Sequence, residues 1–313
     1  MPELPEVETT TRGLRSKVVG LIIKDVWTDL DTKDKRKNDT AANPKFFAYF
    51  KKEILNKKIL SAERRAKNIL INISGGKTIL VHLKMTGHLL FGKYKYYPSQ
   101  TIPLLRGGQR VGSWTPVENG PLKDPFNRFL HLVFSFSNGK HLAFSDTRKF
   151  GKVTLLDTKL AHSSKHLKNI GPEPLSPTFD LKILKERLSK KPNGKIKTVL
   201  MDQSIIAGIG NIYSDEILWR AGVHPERKVS EIKEAELKEI FKVIKELLKK
   251  GIDFGGDSMS DYRNIDGEKG KFQLHHQAYR KTGEKCTKKN CKGKIERKII
   301  NGRSAHFCPV HQK

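Results

Sequence analysis

The chain has 313 residues, of which 61 are Lys or Arg and 33 are Asp or Glu, so its formal net charge is +28. This length suggests about two domains, and the charge predicts an anionic partner, nucleic acid first and an anionic membrane surface second. No apolar run approaches the roughly 20 residues that a membrane span needs, and residues 1–6 lack the apolar core of a signal peptide. All three cysteines follow residue 285. A disulfide framework is therefore excluded, and a reducing cytoplasm is favoured.

The first half of the chain predicts one helix followed by short strands. The helix spans residues 6–19, with Pro5 suited to its first turn and Gly20 as its end. Hairpin turns are predicted at 74–76 and 137–139, which favours an antiparallel sandwich. Residues 93–125 lack periodicity and are interpreted as a loop or an insertion. The predicted strands are 21–26, 58–62, 68–73, 78–83, 129–136, 141–144 and 152–156.

After residue 174 the pattern becomes helical, so the fold class is α+β. The longest predicted helix carries an apolar stripe through Ile240, Ile244 and Leu247, and Gly251 is interpreted as its stop. Residues 252–272 are rich in Gly, Asp and Ser, which predicts a long loop that is functional or disordered. The predicted helices are 181–188, 197–201, 213–221 and 231–250.

Residues 284–311 form a small module that predicts a zinc site. Cys286 and Cys291 make one short-spaced pair, and Cys308 and His311 make the other. Sixteen residues separate the two pairs. Two such pairs across a hairpin place four ligands tetrahedrally around a structural Zn²⁺, with no open position for catalysis. The alternative is three free thiols and a surface histidine. Arg303, at the predicted hairpin tip, suits a phosphate.

The N-terminal segment carries potential chemistry of its own. If Met1 is removed, Pro2 presents a secondary amine, and an amine that attacks a carbonyl-like carbon forms an iminium. Glu3 and Glu6 are close enough in sequence to act as acid, base or electrostatic support. The alternative is that acidic residues and a proline simply start a helix, and this segment alone does not overturn it.

Short segments spread over the whole chain resemble those of bacterial formamidopyrimidine-DNA glycosylases, in the Fpg/Nei family. They follow the family's order from residue 2 to residue 311, so together they are specific although each alone is weak. The segments are PELPEVE at 2–8, RRAK at 64–67, HLKMTG at 82–87, DTRKFG at 146–151, GPEPL at 171–175, LMD at 200–202, GIGNIY at 208–213 and the Cys/His module.

The resemblance implies a bifunctional enzyme of base excision repair. Such an enzyme flips oxidised purines, 8-oxoguanine and formamidopyrimidines among them, out of double-stranded DNA and removes them. It then cleaves the strand at the abasic site by β,δ-elimination. The implied roles are Pro2 as the Schiff-base nucleophile at the sugar C1′, Glu3 as proton donor, Lys67 in β-elimination, Arg303 in δ-elimination and Glu6 as catalytic support.

The resemblance also implies DNA contacts. Met85, Arg148 and Phe150 match positions that fill the void left by a flipped base, although Met85 and Phe150 would otherwise be expected in a core. Lys191 and Lys197 lie near the family's basic segment, and either is alternatively a solvated lysine. The implied phosphate contacts are His131, Arg148, Lys191 and Asn211. The 255–272 loop corresponds to the lid over the lesion, which Met259, Ser260, Asp261 and Tyr262 would face.

The implied architecture has four parts and one structural Zn²⁺. An N-terminal helix and antiparallel β-sandwich form a catalytic domain over residues 1–157, followed by a linker at 158–175. A helix–two-turn–helix domain with the lesion-capping loop spans 176–272, and a zinc-finger β-hairpin spans 273–313. The expected state is a monomer in the bacterial cytoplasm, associated with the nucleoid and not with a membrane.

Departures from the family pattern leave some points open. The first cysteine spacing is longer than usual, His311 replaces a cysteine and Lys149 replaces an arginine, while differences in the lid put the lesion range in doubt. One rival is an endonuclease VIII-like enzyme for oxidised pyrimidines, although that branch usually begins Pro-Glu-Gly-Pro and this chain has Leu4. A second rival is a non-catalytic zinc-finger DNA-binding protein. A third, a membrane-surface protein, lacks a suitable helix.

Overall fold

The computed structural model describes residues 1–103, 109–259 and 261–313, and their contacts divide them into two units. The first, here called the strand unit, comprises Met1–Pro2, Glu6–Ser164 and Asp257–Gly270. The second, the helical unit, comprises Glu3–Pro5, Lys165–Gly256 and Lys271–Lys313. Helix α1 (Leu4–Lys17) runs from the second into the first. In the part of the chain described, no helix is long and apolar enough to cross a membrane.

The strand unit contains two four-stranded antiparallel sheets, as the sequence predicts. Aliphatic and aromatic side chains from both sheets form one buried cluster, Leu132 and Phe134 from the first sheet and Ile69 and Val81 from the second. The sandwich is therefore confirmed. In spatial order, the first sheet is β1 (Ile23–Thr28), β8 (Leu130–Phe136), β9 (His141–Ser145) and β5 (His88–Gly92). The second is β10 (Lys152–Asp157), β4 (Lys77–His82), β3 (Asn68–Ile73) and β2 (Ile59–Arg65).

A second helix of this unit, α2 (Pro44–Ile54), has no counterpart among the predicted elements. The Asn43 side chain accepts the Phe46 amide at 3.0 Å, and Pro44 occupies the first helical position, which together form a standard helix start. Phe50 and Ile54 are fully buried in the sandwich core. Four aromatic residues give the segment weak helix propensity, so packing of its apolar face stabilises it.

The interpretation of residues 93–125 as a loop is wrong for most of that segment. Strands β6 (Tyr94–Pro103) and β7 (Gln109–Pro116) form an antiparallel hairpin, and two 3₁₀ turns follow, at Pro121–Lys123 and Pro125–Arg128. The ring of Trp114 lies 6.1 Å from that of Trp27 on β1 and 5.4 Å from that of Tyr96. Aromatic pairing with a distant strand stabilises the hairpin, and sequence periodicity does not report such pairing.

The helical unit contains four further helices and a C-terminal hairpin, close to the predicted positions. Its buried cluster includes Leu4 together with side chains from all four helices, such as Leu184, Leu200, Ile217 and Ile244. The helices are α3 (Leu181–Ser189), α4 (Ile196–Leu200), α5 (Asn211–Ala221) and α6 (Glu234–Asp253), and the hairpin strands are β11 (Glu296–Ile300) and β12 (Arg303–Phe307). The α+β class is thus confirmed.

Gly251 does not stop α6, contrary to the sequence interpretation. The helix continues through it to Asp253. A Cβ atom at Gly251 would lie 2.3 Å from the Tyr213 hydroxyl oxygen on α5, which is too close for any side chain. The glycine therefore permits close approach of the two helices, and the turn follows at Phe254.

Candidate functional site

The carboxyl group of Glu3 is bound at the N-terminus of α5. Its two oxygens accept the amide N–H groups of Gly210 at 2.6 Å and Ile212 at 2.8 Å. A Cβ at Gly210 would lie 2.4 Å from the Glu3 carboxyl carbon, so only glycine permits this approach. The Leu4 amide donates to the Gly208 carbonyl at 3.0 Å. The GIGN segment therefore builds a site that fixes a buried carboxyl group at a helix start.

Asn211 and Arg303 lie around the same helix start. The Asn211 amide nitrogen donates to the Ser304 hydroxyl at 3.3 Å, and its amide oxygen is buried with no hydrogen-bond partner among the described residues. Arg303 is exposed at the first position of β12, after a turn in which Asn301 and Gly302 have positive φ. Lys191 is half exposed and is paired with Asp202. The structure thus brings Glu3, Asn211 and the hairpin of Arg303 together, with Lys191 in a separate ion pair.

The middle of α5 is bonded, through the buried side chains of Asp215 and Glu216, to the C-terminal module and to the residues that precede it. Asp215 accepts Lys197 Nζ at 2.5 Å through one oxygen, and His306 Nδ1 at 2.8 Å through the other. Lys197 is fully buried, so its interpretation as a solvated lysine is wrong. The neighbouring Glu216 accepts the backbone amides of residues 277–279 at 2.8–2.9 Å. Consecutive carboxylates therefore hold both strand β12 and the chain that precedes the module.

Cys286, Cys291, Cys308 and His311 form the predicted cluster, with their ligand atoms all within 4.8 Å of one another. The sulfur atoms of Cys291 and Cys308 are 3.6 Å apart, and Cys286 Sγ lies 3.2 Å from His311 Nδ1. A tetrahedral zinc ion about 2.3 Å from each sulfur would hold two sulfurs about 3.8 Å apart. The residues present therefore fit a zinc ion.

The surroundings of the cluster also suit a metal. His311 Nε2 lies 2.9 Å from the Trp219 carbonyl on α5, which it reaches as a donor, so Nδ1 is left as the nitrogen that faces the sulfurs. A hydrogen bond from the Gly293 amide lowers the pKa of the Cys291 thiol, which favours the thiolate. The alternative of free thiols with a surface histidine does not account for this arrangement.

In the strand unit, Lys67 lies in the turn between β2 and β3. Arg65 pairs with Asn68 across this turn, and Ala66 has a φ of 54°. The Arg64 guanidinium donates to Glu8 of α1 at 2.9 Å and to the Ala66 carbonyl at 3.1 Å, which fixes the turn to the helix. Lys67 is 5 % exposed. Pro2 is also buried, whereas Met1 before it is exposed.

Met85, Arg148 and Phe150 lie on two turns that one carboxylate joins. Asp146 accepts the Thr86 hydroxyl, the Arg148 amide at 3.2 Å and the Gly151 amide at 2.7 Å. Met85 and Phe150 are about 40 % exposed, so neither is a core residue. The Arg148 guanidinium lies 4.5 Å above the Phe150 ring. An exposed thioether, an arginine and an aromatic ring are therefore held on one rigid surface.

His82 is a residue of this region to which the sequence analysis gives no role. Burial, together with the nearby charges of Lys84, Lys67 and Lys152, lowers the pKa of His82 to about 3. Its Nδ1 accepts the Lys84 amide at 3.0 Å. The ring is therefore neutral near pH 7, and its Nε2 carries the proton. Its place in the HLKMTG segment was visible in the sequence, but its burial was not.

His131, a predicted phosphate contact, is buried inside β8. Its Nδ1 lies 2.8 Å from the Asp29 carboxylate, and the residue is 2 % exposed. A phosphate group cannot reach a ring in this position without a rearrangement of β8. The structure therefore gives His131 a role in attaching residue 29 to the sheet, because the periodicity of a strand buried on both faces does not reveal which side chains reach solvent.

The 255–272 loop is fastened at both sides of its predicted lesion-facing residues. Glu6 accepts the Asp257 amide at 2.7 Å, and its backbone carbonyl accepts the Tyr262 hydroxyl at 3.0 Å. Tyr262 is 5 % exposed, so its side chain is packed inside the unit, and a contact between its backbone and a lesion stays a prediction. Met259 is exposed, Asp261 lies 3.5 Å from Thr147, and Ser260 lies outside the described residues.

Comparison with known proteins places the chain among DNA glycosylases. The profile of the formamidopyrimidine-DNA glycosylase N-terminal domain matches residues 1–153, and that of the formamidopyrimidine-DNA glycosylase H2TH domain matches residues 170–263. The formamidopyrimidine-DNA glycosylases of Pelotomaculum thermopropionicum and Herpetosiphon aurantiacus are 37 % and 36 % identical, over 100 % of this chain and 99 % and 100 % of theirs.

Solved structures of the Lactococcus lactis Fpg protein show the same fold. Its complex with DNA that contains an abasic site aligns with a TM-score of 0.79 at 33 % identity, over 99 % of both chains. Its complex with DNA that contains FAPY-dG aligns with a TM-score of 0.78 at 33 % identity, over 99 % of this chain and 100 % of the other.

Proposed function

Because the chain belongs to the formamidopyrimidine-DNA glycosylase family, we propose that it excises oxidised purines from double-stranded DNA and cleaves the strand at the resulting abasic site. DNA glycosylase activity follows from the family. The observation that carries the finer proposal is the carboxyl group of Glu3, held by the α5 amides directly after the nitrogen of Pro2. A nucleophile and a fixed acid adjacent in sequence are what a Schiff-base glycosylase needs.

The first chemical step requires the removal of Met1, so that Pro2 becomes a secondary amine. Its nitrogen lone pair forms a bond to C1′ as the bond from C1′ to the base breaks. The electron pair leaves with the base, which takes up the proton that the Pro2 nitrogen loses. The sugar ring then opens as Glu3 supplies a proton to the ring oxygen. The product is a cationic iminium between Pro2 and the sugar.

Two eliminations follow from the iminium. Loss of a C2′ proton expels the 3′ phosphate, and a second elimination expels the 5′ phosphate. Lys67, in its fixed turn, is proposed to assist the first, and Arg303 the second. Glu6 supports the reaction by holding the start of the 255–272 loop through the Asp257 amide.

The partner is proposed to be duplex DNA with an oxidised base or an abasic site, and the similar Lactococcus lactis structures are complexes with DNA that contains an abasic site or FAPY-dG. Met85, Arg148 and Phe150 are proposed to fill the void left by the flipped nucleotide. Arg148, Asn211 and Lys191 are proposed phosphate contacts, whereas His131 is not, because it is buried. The net charge of +28 supports strong and salt-dependent binding.

Zn²⁺ is proposed as a structural ion, one per chain. Cys286, Cys291, Cys308 and His311 would hold it, and it would stabilise a module whose own core is small. We also propose the four-part division at residues 1–157, 158–175, 176–272 and 273–313, a monomeric state and a place at the nucleoid.

Borohydride trapping tests the proposal, because borohydride reduces an iminium to a stable covalent adduct. The protein is incubated with a duplex that carries 8-oxoguanine opposite cytosine, and the adduct is mapped by mass spectrometry. We expect an adduct at Pro2, and we expect none from protein that retains Met1. An adduct only with an oxidised pyrimidine would support the endonuclease VIII-like alternative. The absence of any adduct from protein that starts at Pro2 would overturn the catalytic proposal and leave a DNA-binding protein.

A further inference from the structure

An ion pair between a buried arginine and a partly buried aspartate fastens the 255–272 loop to the segment that follows the β6–β7 hairpin. Arg263 is 1 % exposed, and its guanidinium donates three hydrogen bonds of 3.1–3.2 Å to both oxygens of Asp124. It also donates to the Tyr262 carbonyl at 2.9 Å and lies 4.9 Å from the centre of the Phe126 ring. This two-pronged, stacked geometry is the strongest form of arginine–carboxylate pair.

A second contact fastens the same loop to the same segment. The Asn127 side chain donates to the Gly267 carbonyl at 3.3 Å and to the Pro121 carbonyl at 2.9 Å, and its oxygen lies 2.9 Å from His88 Nε2. Gly267 has a φ of +85°, and a Cβ there would lie 2.8 Å from Pro121 and Asn127. The loop is therefore packed directly on residues 121–127 over two successive turns.

The two fastened ends leave a short exposed part between them. On one side, the Asp257 amide is bonded to Glu6, and on the other, Tyr262 and Arg263 are buried. Met259, between these ends, is 42 % exposed. The placement of Met259 and Asp261 therefore depends on the two held residues Asp257 and Arg263, and Asp124 holds Arg263.

The anchor belongs to the part of the chain that the sequence left without a role. Residues 121–128 form the two 3₁₀ turns directly after β7, so the hairpin and its continuation position Asp124 and Asn127. Asp124 itself starts the second turn, because its carboxylate also accepts the Phe126 amide at 2.9 Å. One carboxylate therefore joins the segment after β7 to the 255–272 loop.

We propose that Asp124 and Arg263 are positioning residues for base excision, which hold Met259 and Asp261 in the positions that cover a flipped oxidised base. This proposal rests on the proposed function. An abasic site has no base to cover, so the pair should matter for excision of a damaged base and not for cleavage of a pre-formed abasic site. A misplacement of about 1 Å at a reacting group costs about a hundredfold in rate.

The test compares two substrates in single-turnover kinetics, a duplex with 8-oxoguanine opposite cytosine and the same duplex with an abasic site at that position. We expect Asp124→Asn to slow excision of 8-oxoguanine by about tenfold to a hundredfold, and cleavage at the abasic site to stay within about twofold. Asp266→Asn is the matched control, because it removes a half-exposed ion pair with Lys17 from the same loop. The control should leave both rates unchanged.

A double variant separates positioning from folding. Asp124→Leu with Arg263→Met removes the buried guanidinium together with its carboxylate partner, so it should unfold at a higher temperature than Asp124→Asn, which leaves Arg263 buried without its charged partner, while excision stays slow. Amides of residues 258–262 should exchange hydrogen faster in both variants than in the wild type. Equal slowing on the two substrates, or undiminished excision by Asp124→Asn, would overturn the proposed positioning role of Asp124 and Arg263. Wild-type protein that cleaves neither duplex would instead overturn the proposed function.

Discussion

The strand unit and the helical unit hold their candidate functional side chains in different ways. In the strand unit, Lys67 lies on the turn between the paired strands β2 and β3, whereas Met85 and Phe150 lie on two turns that connect one sheet to the other and that the Asp146 carboxylate joins. In the helical unit, side chains from several parts of the chain are bonded to one helix, α5. The N-terminus of α5 binds Glu3, its middle binds Lys197 and His306 through Asp215, and its last turn accepts His311.

This difference predicts different sensitivities. The strands beside the turns of the strand unit are also held by pairing within their own sheets, independently of the turn contacts. The attachments of α5 to the C-terminal module, at His306 and His311, join residues that are 91 and 92 positions apart, and His311 belongs to the Cys/His cluster. Loss of one attachment should therefore affect the C-terminal module more than loss of one turn contact affects the sandwich.

Metal removal should have the largest effect. Structural zinc contributes about 10–16 kcal/mol in zinc-finger peptides, because an apo module of this size lacks its own core. We expect one zinc ion per chain by elemental analysis, and we expect chelation to abolish hydrogen-exchange protection in β11 and β12. Strands β3 and β4 should keep their protection, which serves as the internal control. Unchanged protection of the hairpin in metal-free protein would contradict the structural role.

Asp215→Asn should be the most destabilising single substitution among the charged groups. It leaves Lys197 buried without a charged partner, which costs about 3–5 kcal/mol. Urea denaturation measures the change. Glu246→Gln is the control, since it breaks an exposed pair with Arg220 in the same unit, and such pairs contribute about 0–1 kcal/mol. Equal effects of the two substitutions would show that burial of the Asp215 network is unimportant.

Acid should weaken the strand unit through its buried histidines. Burial lowers the pKa of His88 to about 4, and that of His82 to about 3, from the ordinary 6.5. Between pH 6.5 and 4 the unfolded chain therefore binds more protons than the folded one, so stability falls as the pH falls. Linkage gives a loss of about 2 kcal/mol per histidine between pH 7 and pH 5. His88→Gln should flatten the pH dependence of thermal unfolding, and an unaltered slope would contradict this account.

Asp146→Asn should have the smallest effect on stability, about 1 kcal/mol, because an amide keeps the shape and one acceptor oxygen. Its effect should appear instead in DNA binding, since the turns of Met85 and Phe150 lose their common attachment. We expect a several-fold weaker affinity for a duplex with an abasic site, measured by fluorescence anisotropy, with Asp157→Asn as an exposed control. Affinity equal to that of the wild type would mean that the strand register alone fixes the two turns.

The sequence by itself determined the α+β class, most of the strands, the helices of the second half and the four clustered ligands. These features depend on local patterns, namely apolar periodicity, turn residues and short Cys/His spacings, which the chain carries wherever it folds. The segments that resemble the family also singled out Glu3, Met85 and Phe150, whose exposure or burial no pattern reports.

Only the tertiary structure decided the remaining features, because each depends on a partner far away in the chain. The β6–β7 hairpin pairs its aromatic rings with Trp27, and Gly251 continues a helix because Tyr213 lies against it. His131 and Lys197 are buried beside carboxylates about 100 and 18 positions away, whereas the sequence offers His131 as a phosphate contact and leaves a solvated side chain open for Lys197. Burial of a charge beside its partner is a property of the folded contacts, and residue types alone do not encode which charges meet.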